Sequence, residues 1–131
     1  IVETIASGAS LFSVFRSTYS DDVDPLDVGR FQTDQTELWL RRALEFRESP
    51  AASSVTVLDV RYEDLVASTA SVLKQIYTAV GIAVPDDLEG MIARYDAARP
   101  RHAKGVHRYT PEAFGLDGDG LRRRFAFHPH A

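Results

Sequence analysis

A segment near the C-terminal end of the sequence gathers the residue types that bind anions. Between Arg99 and Tyr109 the chain contains four Lys/Arg residues, two histidines and Gly105. Guanidinium and ammonium groups clamp a phosphate or sulfate by charge-assisted hydrogen bonds, and a glycine lets the backbone approach the anion closely. The segment is polar without helical or strand periodicity, which is typical of a surface loop. It predicts an anion-binding loop; a solvated basic loop without a ligand is the alternative.

The distribution of charge points the same way. Residues 94–131 carry eight Lys/Arg and four Asp/Glu, a net charge of +4, whereas residues 1–93 carry seven and fifteen, a net charge of −8. An acidic chain has therefore concentrated its cations in one part, as an anionic ligand would require. The overall pI near 5.5 argues against nonspecific nucleic-acid binding. Arg122, Arg123 and Arg124 are interpreted as a solvated helix face.

A second candidate site follows the segment 55–60, which is short, apolar and rich in β-branched residues. This pattern predicts a strand covered on both faces. The polar run Arg61-Tyr62-Glu63-Asp64 comes directly after it, and ligands of open α/β sheets bind beyond the carboxyl ends of strands. Tyr62 can stack on a base or donate its hydroxyl. A strand-to-helix turn with purely local bonding is the alternative.

These candidates have to be positioned by a mostly helical chain. Apolar periodicity and capping residues predict helices over 1–19, 25–48, 68–80, 85–98 and 117–125. Asp24 and Pro25 are typical of a helix start, and Gly81 of a helix end. With the strand at 55–60, the predicted fold class is α/β. One strand makes no sheet, and residues 1–19 are spaced like a helix already under way, so we expect a missing N-terminal half.

Other classes of protein are disfavoured. The chain has no cysteine, which excludes disulfides and thiolate metal sites. His128 and His130 lack the further ligands that a zinc site needs, so no metal is expected. The sequence contains neither a Walker phosphate loop nor a G-x-G-x-x-G motif. It shows no apolar run long enough for a membrane span and no basic start of a signal peptide, which predicts a cytoplasmic protein.

Taken together, several segments resemble the C-terminal half of the bacterial, actinobacterial-type sulfotransferase family. The resemblance extends in order and spacing along essentially the whole chain. It is carried by residues 19–25 (Tyr-Ser-Asp-Asp-Val-Asp-Pro), 60–67 (Val-Arg-Tyr-Glu-Asp-Leu-Val-Ala), Ile76-Tyr77, Pro100-Arg101 and 107–116 (His-Arg-Tyr-Thr-Pro-Glu-Ala-Phe-Gly-Leu).

The resemblance implies a P-loop-like, three-layer α/β fold of which residues 1–131 form the C-terminal part of a single domain. It implies sulfuryl transfer from 3′-phosphoadenosine-5′-phosphosulfate (PAPS) to a hydroxyl or amine, without a metal. This chain would form the 3′-phosphate and adenine side of the donor site. The implied donor-binding residues are Thr4, Tyr62, Arg101, Lys104, Gly105 and His107.

Two departures limit what can be carried over. The family's Gly-Lys-His-Gly reads His102-Ala103-Lys104-Gly105 here, so the lysine is displaced by one position. The 5′-phosphosulfate loop and the catalytic base would both precede Ile1. The catalytic residues therefore stay unknown, and we expect the 131-residue chain to be inactive by itself.

The acceptor and the rival functions remain open. Five aromatic residues predict either core packing or an apolar pocket for a small-molecule, lipid or carbohydrate acceptor: Phe12, Phe15, Tyr19, Phe31 and Trp39. The rival functions are a non-catalytic helical interaction domain with a basic anion-binding loop, and a P-loop kinase or related transferase. The sequence does not determine the oligomeric state.

Overall fold

The computed structural model describes residues 1–99 and 109–128. Within these residues the chain forms α-helices joined by turns and by two short 3-10 helices. The α-helices are α1 (Val2–Ser17), α2 (Pro25–Glu48), α3 (Tyr62–Ala67), α4 (Thr69–Ala79), α5 (Leu88–Ala98) and α6 (Gly118–Arg124); the 3-10 helices are Pro50–Ser54 and Pro111–Phe114. No described helix is both long and apolar enough to cross a membrane.

The described residues cluster into two compact units. Unit 1 contains residues 1–48 and 109–128, and its helix α1 packs against α2, α6 and the 3-10 helix Pro111–Phe114. Its core is formed by fully or nearly buried apolar side chains from every one of these elements: Ile5, Ala6, Ala9, Val28, Phe114, Leu116, Leu121 and Phe125. Burial of this apolar surface is the main force that holds unit 1 together.

Local chemistry explains where the helices of unit 1 begin. The carboxylate of Asp24 accepts a hydrogen bond from the backbone N–H of Leu26 at 2.8 Å, and Pro25 occupies the first turn of α2. This confirms the predicted start of α2, and its observed end at Glu48 also agrees with the prediction. Asp117 caps α6 by accepting bonds from two backbone N–H groups, those of Asp119 at 3.1 Å and Gly120 at 2.9 Å.

Unit 2 contains the described residues 49–99, in which α4 contacts both α3 and α5. The side chain of Lys74 on α4 donates to Glu89 on α5 at 3.3 Å. Gly81 ends α4 with a positive φ of 71°, where its lack of a Cβ avoids strain. This confirms the predicted role of Gly81. The helix predicted over 85–98 starts later than expected, because Pro85–Asp87 form a turn before Leu88.

The α/β prediction is wrong for the described residues, which contain helices but no strand and no sheet. The segment 55–60 does not pair with any described segment. Val55 has extended backbone angles of −123° and 131°, but extended backbone becomes a strand only when a neighbour completes the hydrogen-bond ladder. The apolar residues of the segment 55–60 are also 41–50% exposed, so they are not covered on both faces.

Candidate functional site

The junction after residue 60 surrounds a polar cavity of about 250 Å³ within unit 2. Apolar side chains of Val60, Ala67 and Val72 form part of its wall. The polar lining residues come from the junction, from α3 and the residue that follows it, and from α4; they are Asp59, Arg61, Asp64, Ser68, Ser71 and Gln75. Hydroxyl and amide groups both donate and accept hydrogen bonds, whereas the two carboxylates only accept. This lining suits an uncharged, hydrogen-bonding group better than a phosphate.

Tyr62 lies at the first position of α3, immediately after the junction. Its side chain is 76% exposed, so the ring face is accessible to a ligand. The flanking Arg61 and Glu63 form an exposed ion pair at 3.6 Å, which is local bonding of the kind expected at a turn. The junction therefore combines an accessible aromatic ring with a turn in which two of the charged side chains pair with each other.

Thr4 lies in the first turns of α1 in unit 1 and is exposed. Its neighbour Ile5 is buried in the core, so the helix fixes the position of the Thr4 backbone. Arg101, Lys104, Gly105 and His107 lie outside the described residues. The structure thus places Thr4 and Tyr62 on separate units, and the prediction that all six residues form one donor site stays a prediction.

The two ends of the basic segment are described. Arg99 follows α5, and its backbone N–H donates to the carbonyl oxygen of Tyr95 at 3.0 Å. The Arg99 guanidinium lies 4.4 Å from the centroid of the Tyr95 ring, a cation–π distance. Tyr109, at the other end, packs partly buried against the core of unit 1. Arg99 and Tyr109 thus each have local contacts within their own unit, and the residues between them lie outside the described part of the chain.

An ion-pair network in unit 1 was missed by the sequence reasoning. Arg124 on α6 donates to Glu37 at 2.6 Å and to Asp34 at 2.7 Å, both on α2. Arg41 donates to the same Glu37 at 2.7 Å, and its guanidinium lies 4.0 Å from the ring centroid of Phe127. The interpretation of Arg122–Arg124 as a solvated face holds for the first two residues but fails for Arg124. The acidic positions Asp34 and Glu37, one turn apart on α2, were the available signal.

The network shifts the ionisation of its members. Hydrogen bonds from Arg41 and Arg124 lower the pKa of Glu37 below its ordinary value. Hydrogen bonds to Asp34 and Glu37 raise the pKa of Arg124. Each shift favours the charged form because the partner carries the opposite charge. The network therefore joins α6 to α2 over the whole neutral pH range.

The five aromatic residues that were predicted to serve either core packing or an acceptor pocket lie in different environments in the structure. The rings of Phe12 and Phe31 stack with centroids 5.0 Å apart, which joins α1 to α2. Phe15, Tyr19 and Trp39 are 59%, 91% and 62% exposed. None of the five lines the polar cavity of unit 2 or the larger cavity of unit 1. One pair serves packing, and the acceptor-pocket interpretation of the set stays a prediction.

Similarity to known proteins is found at the level of a family model. No curated protein and no solved structure matches the chain. The model of a protein family described as the sulfotransferase family matches residues 2–86. The match covers about two thirds of the 131 residues, from α1 through the junction and α4. The chain belongs to the sulfotransferase family.

Proposed function

We propose that this chain takes part in sulfuryl transfer from PAPS to a hydroxyl or amine of an acceptor. The match to the sulfotransferase family over residues 2–86 is the observation that carries the proposal. Sulfuryl transfer, like phosphoryl transfer, depends mainly on positioning and on cations that stabilise charge on the transferred group and the leaving oxygen. PAPS supplies the sulfuryl group; the residues of this chain would bind and orient it.

The described residues fit the nucleoside part of the donor. The exposed ring of Tyr62 offers a stacking face for adenine, and stacking on an aromatic side chain contributes about 1–3 kcal/mol per base. The neighbouring cavity carries the hydroxyls of Ser68 and Ser71 and the amide of Gln75, which can hydrogen-bond to an adenine or a ribose. Its carboxylates disfavour a phosphate at this place.

The anionic part of the donor would be bound elsewhere in the chain. We assign the 3′-phosphate to Thr4, Arg101, Lys104, Gly105 and His107, on the strength of the family resemblance and of the cationic composition of the basic segment. The hydroxyl of Thr4 is accessible on α1, which fits this role. The acceptor is proposed to be a small molecule, lipid or carbohydrate.

Calorimetric titration of the chain with adenosine 3′,5′-bisphosphate tests the donor assignment. We expect saturable binding that weakens about tenfold in Tyr62→Ala, because the stacking face is lost. Tyr19→Ala is the matched control, since Tyr19 is an even more exposed tyrosine on the other unit. Adenosine 5′-monophosphate, which lacks the 3′-phosphate, should bind more weakly.

Two results would count against the proposal. Absence of binding would favour the non-catalytic helical interaction domain, which has no reason to recognise this nucleotide. Equal loss of affinity in both tyrosine variants would remove the assignment of Tyr62 while leaving nucleotide binding in place.

A further inference from the structure

Unit 1 contains a second cavity, of about 480 Å³, between α2, α6 and the turn that follows the 3-10 helix Pro111–Phe114. This volume lies in the range of small-molecule sites, about 300–1,000 Å³. We call it the α2–α6 groove. Its floor consists of Phe114, Leu116 and Leu121, which are 6–8% exposed. The groove therefore presents apolar surface at the base of an opening large enough for a small molecule.

The two ends of the groove differ in polarity. Leu26 lies at one end beside Gly115, where a Cβ on the glycine would come within 2.9 Å of the leucine side chain. Asp34 and Arg124, joined by their 2.7 Å ion pair, line the other end. Eight residues separate Leu26 from Asp34 along α2, a rise of about 12 Å. The groove is thus amphipathic along its length, with an apolar end and a charged end.

The formal charges of the residues that line the groove sum to zero. Arg30 and Arg124 contribute two positive charges, and Asp34 and Asp117 contribute two negative charges. Both carboxylates already accept hydrogen bonds, Asp34 from Arg124 and Asp117 from the first turn of α6. A carboxylate ligand would face these two acids, and an ammonium ligand would face the two arginines. An uncharged polar group meets neither repulsion.

We propose that the α2–α6 groove binds an uncharged amphipathic molecule with a hydroxyl-bearing head and an apolar body. A hydroxyl both donates and accepts, so it can donate to a carboxylate and accept from a guanidinium in the same lining. The apolar body lies on Phe114, Leu116 and Leu121 and reaches Leu26. None of the residues lining the groove belongs to the proposed donor site, and the inference stands whether or not the chain binds a nucleotide.

Octyl β-glucoside below its micellar concentration is a suitable probe, since its sugar head and alkyl chain match the two ends of the groove. Nuclear magnetic resonance titration of the chain should show saturable shifts of the Gly115 and Gly120 amides, which border the groove. The amides of Gly8 and Gly81, which do not line the groove, serve as internal references. Octanoate and octyltrimethylammonium carry alkyl chains of similar length with a negative or positive head, and each should bind at least threefold more weakly.

Variants with matched controls locate the binding. Leu26→Ala should weaken binding about fivefold, because apolar contact with the alkyl chain is lost. Leu38→Ala is its control, another partly exposed leucine of α2 that does not line the groove. Arg30→Gln should weaken binding about threefold through loss of a guanidinium donor. Arg122→Gln is the control for it: both arginines are exposed and pair with an aspartate three residues earlier, but Arg122 does not line the groove.

Each outcome of these titrations either supports or overturns the proposed ligand site. Saturable shifts at Gly115 and Gly120, with the losses confined to Leu26→Ala and Arg30→Gln, would support the proposal. Absence of saturable shifts would overturn it, as would equal losses in the control variants. Octanoate or octyltrimethylammonium binding as tightly as the glucoside would overturn the assignment of an uncharged ligand.

Discussion

Among the described glycines of unit 1, Gly29 is the one at which an added Cβ would have least room. It lies on α2 between the buried Val28 and the exposed Arg30. A Cβ added to it would come within 2.0 Å of the carbonyl oxygen of Phe114 and within 3.1 Å of the Phe114 Cβ. Real Cβ contacts essentially never fall below 3.0 Å. Gly29→Ala therefore forces α2 and the 3-10 helix apart by about 1 Å, since backbone cannot rotate out of the way as a side chain can.

Two effects oppose each other in Gly29→Ala. Forcing extra volume into a packed contact costs about 1–3 kcal/mol, and more where backbone must move. Alanine is favoured over glycine within a helix by about 1 kcal/mol. Because the clash involves backbone, we expect the upper part of the packing cost to apply, and a net loss of about 2 kcal/mol in the free energy of unfolding.

Gly8→Ala provides the matched control, since Gly8 is also a glycine inside a helix of unit 1. Its added Cβ would meet the Oε1 atom of Gln32 at 3.2 Å, the far end of a flexible side chain. The helix preference of alanine should dominate here, and we expect a gain of about 0.5–1 kcal/mol. The two variants should therefore differ by about 3 kcal/mol in opposite directions from the parent chain.

Urea unfolding followed by tryptophan fluorescence measures this difference. Trp39 is the single tryptophan of the chain and lies on α2, so its signal reports on unit 1. The midpoint should fall in Gly29→Ala and rise in Gly8→Ala at an unchanged slope. Unfolding of Gly29→Ala at or above the parent's midpoint would refute the close approach of Gly29 to Phe114.

Two further predictions concern the charged residues of unit 1. Glu37→Gln should lower stability at pH 7 by about 1–2 kcal/mol, because three charge-assisted hydrogen bonds, two from Arg41 and one from Arg124, are weakened. Since the pKa of Glu37 is lowered on folding, its stabilisation is present above the ordinary value of 4.5 and is lost as the pH falls through the folded-state pKa. The difference between parent and variant in urea should therefore shrink towards pH 3, and a constant difference would contradict the assignment. Asp117→Ala should cost about 1 kcal/mol by removing the cap of α6, while Asp117→Asn keeps an acceptor and should cost less, as thermal melts would show; equal losses would argue against the cap.

The helices could be predicted from the sequence because their signals are local. Asp24 and Pro25 define the start of α2 through a hydrogen bond that spans two residues, and Gly81 ends α4 through its own backbone angle. The strand predicted at 55–60 was wrong for the described residues. A strand depends on a partner elsewhere, and its apolar, β-branched composition describes the environment of a sheet without supplying one.

The candidate sites also differ in whether their residues are neighbours in the sequence or only in the folded chain. Tyr62 could be proposed from the sequence because a junction and its polar run are contiguous, and its donor-binding role stays a prediction. The partners of Arg124 lie 87 and 90 residues away, so neither the three-arginine run nor the acidic turn of α2 indicated the network by itself. The α2–α6 groove was likewise invisible, because its walls come from residues that are neighbours only after folding.

Helix α2 lies within the part of the chain that the family model matches, and it packs against the 3-10 helix Pro111–Phe114, which lies outside that part. The family model matches residues 2–86 and thus includes α2 but not α6 or the turn that carries Gly115 and Leu116. One wall of the α2–α6 groove therefore lies inside the matched region and the opposite wall outside it. The contact at Gly29 and the ion pairs of Arg124 hold these two walls at a fixed separation. Because Phe114, Leu116 and Leu121 line the groove and also belong to the core of unit 1, we expect a change at these positions to alter the proposed ligand site and the packing of α1 together.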